Sequence, residues 1–264
     1  MSVDPLVPIC AAGAAAAAGA AWWTRRVVQP LRWAGIPVVR WQLVGPPIPG
    51  SPLNELRVPA SQFEAQLRHL ARRRYRPVGL AEALLCRSDP AFLETNPIVL
   101  TFDGPSATFA AAVETLARYQ LFPVVLFFPA ALIGKPELRF AKGRPEPLLG
   151  PPDLARLAAR GVELGLLCSD LAQKGEGVAP RLESDRRRLQ DATGLSIEHL
   201  ALPLAEPDKG VARAARDAGF ASASLAAGDG ILSPRCSPWA LPRWNARPGQ
   251  HLINLSYALA ARRR

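Results

Sequence analysis

The sequence contains few of the side chains that most often bind transition metals. Of its 264 residues, three are histidine and four are cysteine. The cysteines are far apart and form no Cys-x-x-Cys pair, so we expect no zinc site built from them. Isolated buried thiols are the simplest interpretation, and a disulfide between Cys86 and Cys168 stays open. The histidines, at positions 69, 199 and 251, do not cluster in the sequence.

Acidic residues are outnumbered by basic ones. The chain has 32 Lys and Arg against 22 Asp and Glu, which gives a formal net charge of +10. Such a balance favours anionic partners: membrane surfaces, nucleic acid or acidic protein faces. No nucleic-acid-binding module is recognisable and the aromatic residues do not alternate with the basic clusters, so nucleic acid is not an expected partner. With 49% hydrophobic and 20% charged residues the composition excludes a disordered chain, and the length suits one barrel-sized domain.

Consecutive arginines occur in three runs: Arg72–Arg74, Arg186–Arg188 and Arg262–Arg264. The first run is interpreted as a solvated helix end, where cations complement the helix dipole. For the last run, Arg262, Arg263 and Arg264, we expect contact with anionic lipid headgroups. Each basic residue near such a surface contributes about 1 kcal/mol.

The beginning of the chain has no charged residue over positions 6–23 and is dominated by alanine. A helix of that length spans about 27 Å, close to the thickness of a hydrocarbon core. We therefore predict a transmembrane helix within residues 1–26. Two alternatives stay open. One is a cleaved signal peptide, although Asp4 and the lack of a preceding Lys or Arg argue against it. The other is a buried or interfacial soluble helix.

Contacts with the membrane or with a partner follow from this prediction. The residues expected to make them are Ala14, Ala18, Trp22, Trp23, Arg25 and Arg26. Small side chains let another helix approach closely, so integral membrane protein subunits are the expected partners. The tryptophans suit the membrane interface. Because the arginines follow the segment and no basic residue precedes it, the positive-inside rule leaves the large domain in the cytoplasm; export is the alternative.

The remainder of the chain alternates strand and helix patterns. Helices are predicted over residues 61–73, 81–85, 108–119, 152–159, 179–193, 210–218 and 252–264. Apolar runs predict strands over residues 37–44, 98–102, 124–128, 162–166, 200–203, 221–225 and 240–243. Ser61 and Glu64 have the spacing of a capping box, and residues 134–152 form an irregular insertion. Strand–helix alternation at this spacing indicates a parallel sheet, and we predict an open or distorted (β/α) barrel.

One carboxylate stands where a barrel enzyme would use it. The predicted strand over residues 98–102 is followed by Asp103, and the active sites of (β/α) barrels lie at the carboxyl ends of the strands. The next residue, Gly104, has no side chain to offer as a ligand. The structural alternative is that Asp103 caps the turn or helix that follows.

The segment Thr101–Gly104 resembles Thr-Phe-Asp-Asp-Gly, the first motif of polysaccharide deacetylases, the NodB-homology carbohydrate esterases. The resemblance covers most of residues 36–247, and Ala218–Phe220 and Leu241–Arg243 match later landmarks of the family. It implies a distorted or open (β/α) barrel of the polysaccharide deacetylase type. In that family the first Asp is the catalytic base and the second binds the metal. The resemblance therefore makes Asp103 the residual catalytic candidate and places Gly104 where a ligand would stand.

Two further motifs of the family fall on residues of different chemistry. The second motif normally supplies two histidines, and these positions fall on Leu167 and Leu171. The third motif, Arg-x-Pro-x-Gly, starts at Ala201 and keeps Pro203. The resemblance thus implies that none of the three metal ligands remains, so we predict no bound metal and no cofactor.

These observations lead to one prediction of organisation and function. We predict a transmembrane helix over residues 1–26, a linker and first strand over 27–59, a deacetylase-like domain over 60–247 and a basic tail over 248–264. The chain is predicted not to be an enzyme, but a pseudoenzyme that serves as a membrane-anchored structural or accessory subunit of a membrane protein complex. The alternatives are a metal-dependent carbohydrate deacetylase or hydrolase with altered ligands and an exported carbohydrate-binding pseudoenzyme.

Overall fold

The computed structural model describes residues 35–168, 177–206 and 208–260. Its strands are β1 (Ile36–Trp41), β2 (Leu43–Val44), β3 (Arg57–Val58), β4 (Arg76–Pro77), β5 (Pro97–Asp103), β6 (Val124–Phe128), β7 (Glu137–Leu138), β8 (Glu146–Pro147), β9 (Val162–Leu167), β10 (His199–Ala201), β11 (Ser222–Ser224), β12 (Ile231–Leu232) and β13 (Trp244–Ala246). Its α-helices are α1 (Ala60–Arg72), α2 (Leu80–Cys86), α3 (Pro90–Glu94), α4 (Phe109–Arg118), α5 (Pro151–Ala158), α6 (Val178–Thr193), α7 (Lys209–Asp217) and α8 (Leu252–Ala260).

A parallel sheet forms the centre of this part of the chain. Its strand order is β11-β10-β9-β6-β5-β1-β12, and all neighbours are parallel except β12, which is antiparallel to β1. β4 pairs with the beginning of β5, and β13 pairs in parallel with β1. Helices connect the parallel strands, as a crossover between parallel strands requires.

The chain after β12 brings the two ends of this sheet towards each other. Leu241 forms a parallel bridge to Ser224 at the end of β11, and β13, three residues later, pairs with β1. The sheet is therefore curled. The prediction was a distorted or open (β/α) barrel, and the structure confirms it as far as a curled parallel sheet with helices. Among the residues that the structure describes, no helix has both the length and the apolar character needed to cross a bilayer. Residues 1–26 lie outside them, and the bounds of the four predicted segments stay predictions.

Alternate side chains of the strands enter two different cores. One face packs on the helices, with Trp41 stacked 5.2 Å from Phe102 and in edge contact with Phe63 of α1. The indole of Trp41 donates a 2.8 Å hydrogen bond to the Gln66 side chain, so burial leaves its polar atom satisfied. The other face points into the curl of the sheet. It includes Phe127 together with the polar and charged residues described below.

Several predicted boundaries differ from the structure. The strand predicted over residues 37–44 is divided into β1 and β2. Over residues 240–243, where another strand was predicted, Leu241 makes an isolated bridge, and β13 begins at Trp244. The insertion over residues 134–152 contains the antiparallel pair β7 and β8. The predicted capping box at Ser61 is wrong, because α1 begins at Ala60 after Pro59, and that end has no side-chain cap. No disulfide joins Cys86 to Cys168.

Candidate functional site

Asp103 is the last residue of β5 and is buried. Both of its carboxylate oxygens accept hydrogen bonds from arginine. Arg40 Nε donates to Oδ2 at 2.6 Å, while Arg243 Nη1 and Nη2 donate to Oδ1 and Oδ2 at 2.6 and 2.9 Å. These bonds go to two guanidinium groups rather than to the turn or helix that follows, so the expectation that Asp103 acts as a cap is wrong.

Sheet register brings the three side chains together. Arg40 lies on β1 opposite Thr101 of β5. Thr101 is two residues before Asp103, so the two side chains are on the same face of the strand. Arg243 stands directly before β13, which pairs with the other edge of β1. Arg40 from β1 and Arg243 from the segment before β13 thus both reach the carboxylate of Asp103 at the end of β5.

Each guanidinium has further partners that fix its position. Arg243 is wholly buried, donates from Nε to the Leu225 carbonyl at 2.6 Å and stacks over the Phe127 ring at 5.3 Å. Burial lowers the pKa of Arg243, and the charge of Asp103 opposes that shift. Arg40 donates from Nη1 to the Ala226 carbonyl at 2.8 Å and to the Asn245 side chain at 3.2 Å.

The cluster carries one more positive than negative formal charge. A carboxylate offers about four lone-pair positions, and the three guanidinium bonds use most of those on Asp103. Arg40 keeps 10% of its side chain exposed and the neighbouring Asn245 is partly exposed, so one edge of this cluster reaches the surface. Chemically, the arrangement is suited to donating hydrogen bonds to an oxygen-rich or anionic ligand.

The motif positions predicted from the sequence lie around this strand end. Gly104 has φ of +143°, and a Cβ there would stand 3.0 Å from Leu43 Cδ2 and 3.2 Å from the Gln42 carbonyl oxygen. This backbone favours glycine, and a ligand-bearing side chain would strain it. Leu167 ends β9, Ala201 ends β10 and is buried, and Pro203 is exposed.

Leu171 and the expected membrane and partner contacts lie outside the described residues. These contacts are Ala14, Ala18, Trp22, Trp23, Arg25, Arg26, Arg262, Arg263 and Arg264. The assignment of all these residues as site residues therefore stays a prediction.

The residues that the structure describes do not fit a metal ion. They contain no group of three or more His, Cys, Asp or Glu side chains placed to hold one. His199 lies at the start of β10, His69 is on α1 and His251 precedes α8, so the three histidines belong to different parts of the fold. The only carboxylate described at the end of β5 is already bonded to Arg40 and Arg243. We derive no reaction step through a metal.

A second buried ion pair fixes the segment after Asp103. Arg57 donates to Glu146 at 2.6 Å, and both side chains are almost wholly buried. The Ser106 hydroxyl donates to the other oxygen of Glu146, and Arg57 also donates to the Thr108 hydroxyl at 3.2 Å. The pair therefore ties β3, the turn after β5 and the β7–β8 hairpin together.

A second group of polar side chains lies near the amino ends of the strands. Glu163 of β9, Glu198 and His199 line a cavity of about 310 Å³. Burial raises the pKa of Glu163, and a hydrogen bond from the Leu80 backbone opposes that shift. Burial lowers the pKa of His199, whose Nδ1 lies 2.9 Å from the Ser222 hydroxyl.

Sequence reasoning found Asp103 but missed both arginine partners as site residues. Arg40 interrupts an otherwise apolar strand, Ile36–Trp41, and a charged residue in a fully buried strand is a signal that it has a partner. Glu146 had no such signal, because its surroundings in the sequence are polar and charged.

No protein-family model and no curated protein sequence matches the chain. Solved structures do match. The deacetylase PplD of Streptococcus pyogenes, in complex with acetate, is similar with a TM-score of 0.71 and 18% identity, over 85% of this chain and 98% of that one. The chain has the polysaccharide deacetylase fold.

Two further structures support the same conclusion. IcaB from Ammonifex degensii matches with a TM-score of 0.67 and 20% identity, over 86% of this chain and 97% of its own. The putative polysaccharide deacetylase BA0330 from Bacillus anthracis matches with a TM-score of 0.70 and 14% identity, over 85% and 69% of the two chains. The resemblance noted in the sequence is confirmed at the level of the fold.

The comparison also corrects one prediction. The sequence led us to predict that the chain is not an enzyme. The solved structures that share its fold are those of deacetylases, which are enzymes, so that prediction is overturned.

Proposed function

We propose that this chain recognises an acetylated amino-sugar polymer at the carboxyl end of its parallel strands. The observation that carries the proposal is the Asp103 carboxylate, fixed by Arg40 and Arg243 at the strand end of a fold shared with polysaccharide deacetylases. Substrate sites of (β/α) proteins are built at this end of the strands.

The chemistry of the cluster suits such a ligand. Hydroxyl and acetamido oxygens of a sugar accept hydrogen bonds, and Arg40, which keeps 10% of its side chain exposed, is a donor next to Asp103. Because the cluster has an excess positive charge, it donates more readily than it accepts. We expect oxygen acceptors of the polymer to bind beside Arg40.

Hydrolysis of the acetyl group is the second candidate activity, and Asp103 is the observation that favours it. Asp103 ends β5, where the sequence motif of the deacetylase resemblance places the catalytic base. Acetate release from the same polymer, measured with and without a chelator, tests this activity separately from binding.

Titration calorimetry with acetylated and fully deacetylated amino-sugar oligomers tests the binding proposal. We expect the acetylated form to bind and Arg40→Gln to weaken binding by about 10- to 100-fold, the value of a lost charged hydrogen bond. Arg76→Gln removes an exposed arginine that pairs with Glu82, and we expect it to bind like the unchanged chain. Equal affinity for both oligomers, or no binding to either by a folded protein, would refute the proposal.

We further propose that the chain performs this role as a membrane-anchored accessory subunit of a membrane protein complex, with its large domain on the cytoplasmic side. The uncharged segment over residues 6–23 and the arginines after it support this proposal. Purification in mild detergent should retain integral membrane subunits, and protease added outside sealed cells should leave the domain intact. Cleavage from outside would indicate export instead.

A further inference from the structure

Helix α8 exposes two large apolar side chains. Ile253 and Tyr257 are 73% and 75% exposed, one helical turn apart, so they share a face. Leu255 and Leu259, on the opposite face, are buried. The helix is therefore anchored on the protein by one side and presents an apolar strip on the other.

Three contacts show how α8 and the residues just before it lie on α1. The Gln62 side chain donates to the Arg247 carbonyl at 2.7 Å and accepts from the Gly249 backbone at 2.9 Å. About two helical turns further along α1, His69 Nε2 lies 3.2 Å from the Ser256 hydroxyl. Positions 62 and 69 of α1 thus match Gly249, three residues before α8, and Ser256 within it, so this part of the chain runs in the same direction as α1.

This register places a basic cluster beside the exposed strip. Continuing it from His69 brings Arg72, the last residue of α1, level with Leu259 near the end of α8, and Arg73 and Arg74 follow directly. All three arginines are exposed, and none forms an ion pair within the part of the chain that the structure describes. Burial lowers the pKa of His69, and the positive charge of Arg73 on the next turn adds to this shift.

We propose that the α1–α8 face, defined as Ile253, Tyr257 and Arg72–Arg74, docks on the surface of an anionic lipid bilayer. Tyr257 and Ile253 would enter the interfacial region, where amphipathic aromatic rings are favoured. The arginines would lie over the headgroups, which are negatively charged in such a membrane. The face shares no residue with the Asp103 site, so the proposal does not depend on the proposed polymer binding.

A second copy of the chain is a poorer occupant of this face. Two apolar side chains fall well short of the roughly 800 Å² that each partner contributes to a stable interface. A second copy also carries the same formal net charge of +10, and like charges repel. A lipid surface supplies negative charge and needs only a small inserted area.

The test uses the full chain in lipid nanodiscs made of phosphatidylcholine alone or with added phosphatidylglycerol. Hydrogen exchange of the backbone amides over residues 252–260 reports docking even if another segment already holds the chain in the bilayer. We expect slower exchange in the anionic discs. Three arginines at about fivefold each make the association roughly a hundredfold stronger, so the triple variant R72Q/R73Q/R74Q should lose the added protection.

A matched variant separates this face from general attraction. R139Q/R187Q/R188Q removes the same charge from exposed arginines elsewhere, and it should keep the protection. I253S/Y257S should reduce protection with all arginines in place. The proposal is refuted if both discs protect α8 equally, or if the two triple variants lose protection to the same extent. It is also refuted if Y257S dissociates a dimer while lipid charge has no effect.

Discussion

Asp103 shows how a buried charge is kept in this fold. A carboxylate removed from water is stabilised only when opposite charges and hydrogen bonds replace its hydration. Arg243 supplies two of these bonds and is itself wholly buried, while Arg40 supplies the third from the edge of the cluster. The three side chains therefore depend on one another, and removing one leaves uncompensated charge.

Replacing Asp103 by Asn should lower the free energy of unfolding by about 3–5 kcal/mol, because Arg243 would be left buried without its counter-ion. Urea denaturation of the variant and the unchanged chain measures this. Glu137→Gln breaks the exposed pair with Arg139 and should cost less than about 1 kcal/mol. A loss of less than 1 kcal/mol for Asp103→Asn would contradict the role we give to this ion cluster.

Glu163 should make stability depend on pH in the opposite direction from an ion-paired carboxylate. Its pKa is raised from the ordinary 4.5, chiefly by burial, so the folded state binds the proton more tightly than the unfolded chain. The contribution to stability is then complete below the unfolded pKa and is lost as pH rises through the folded pKa.

Glu163→Gln removes this dependence. We expect the variant to gain stability relative to the unchanged chain at pH 7 and to differ little at pH 4. Denaturation midpoints over this pH range, with the exposed Glu94→Gln as control for loss of a carboxylate, measure the difference. If the stability of the variant relative to the unchanged chain instead falls between pH 4 and pH 7, the predicted direction of the pH dependence is wrong.

At the scale of the elements, a small residue on one strand makes room for a large residue on its neighbour. Gly165 of β9 stands opposite Phe127 of β6, and the Phe127 ring occupies the space that a side chain at 165 would fill. The same ring supports the guanidinium of Arg243. A glycine in the middle of a strand thus makes room for the aromatic ring on which the Asp103 cluster rests.

Gly165→Ala should destabilise the fold by about 1–3 kcal/mol, the usual cost of overpacking. Its Cβ would stand 2.6 Å from Phe127 Cδ1 and 2.9 Å from the His199 carbonyl oxygen. The double variant G165A/F127L should lose less stability than the sum of the two single variants, because the smaller side chain relieves part of the clash. Strict additivity in thermal or urea denaturation would contradict this explanation.

At the scale of the whole molecule, ion pairs join segments that are distant in the chain. Arg57 and Glu146 connect β3 to the β7–β8 hairpin, and Asp103 connects β5 to residues 63 positions earlier and 140 positions later. The curl of the sheet is thus held by polar contacts at the strand ends as well as by the apolar core.

Adding zinc, cobalt or nickel should leave the thermal midpoint of the chain unchanged. A metal ion present at a hundred times its Kd would add about 2.7 kcal/mol to the free energy of unfolding, which raises the thermal midpoint of a chain of this size by several degrees. We expect no such shift because the described residues bring no three candidate ligands together. Calorimetry with each ion and with a chelator checks this, and a saturable stabilisation that Asp103→Asn abolishes would overturn it.

The sequence by itself determined the strand and helix pattern and the place of Asp103. Val124–Phe128 was predicted with its observed bounds, and α6 within one residue, because long apolar or charged runs with clear ends carry a strong local signal. The two-residue strands β7, β8 and β12 were missed, since a strand that short has no periodicity to read.

Only the tertiary structure decided what surrounds Asp103. Its partners, Arg40 and Arg243, come from opposite ends of the domain, and no local pattern links them. Register between β1, β5 and β13 places them within hydrogen-bond distance, and register depends on the packing of the whole sheet. For the same reason the sequence could suggest a basic run at Arg72–Arg74, while only the parallel packing of α1 and α8 placed it beside Ile253 and Tyr257.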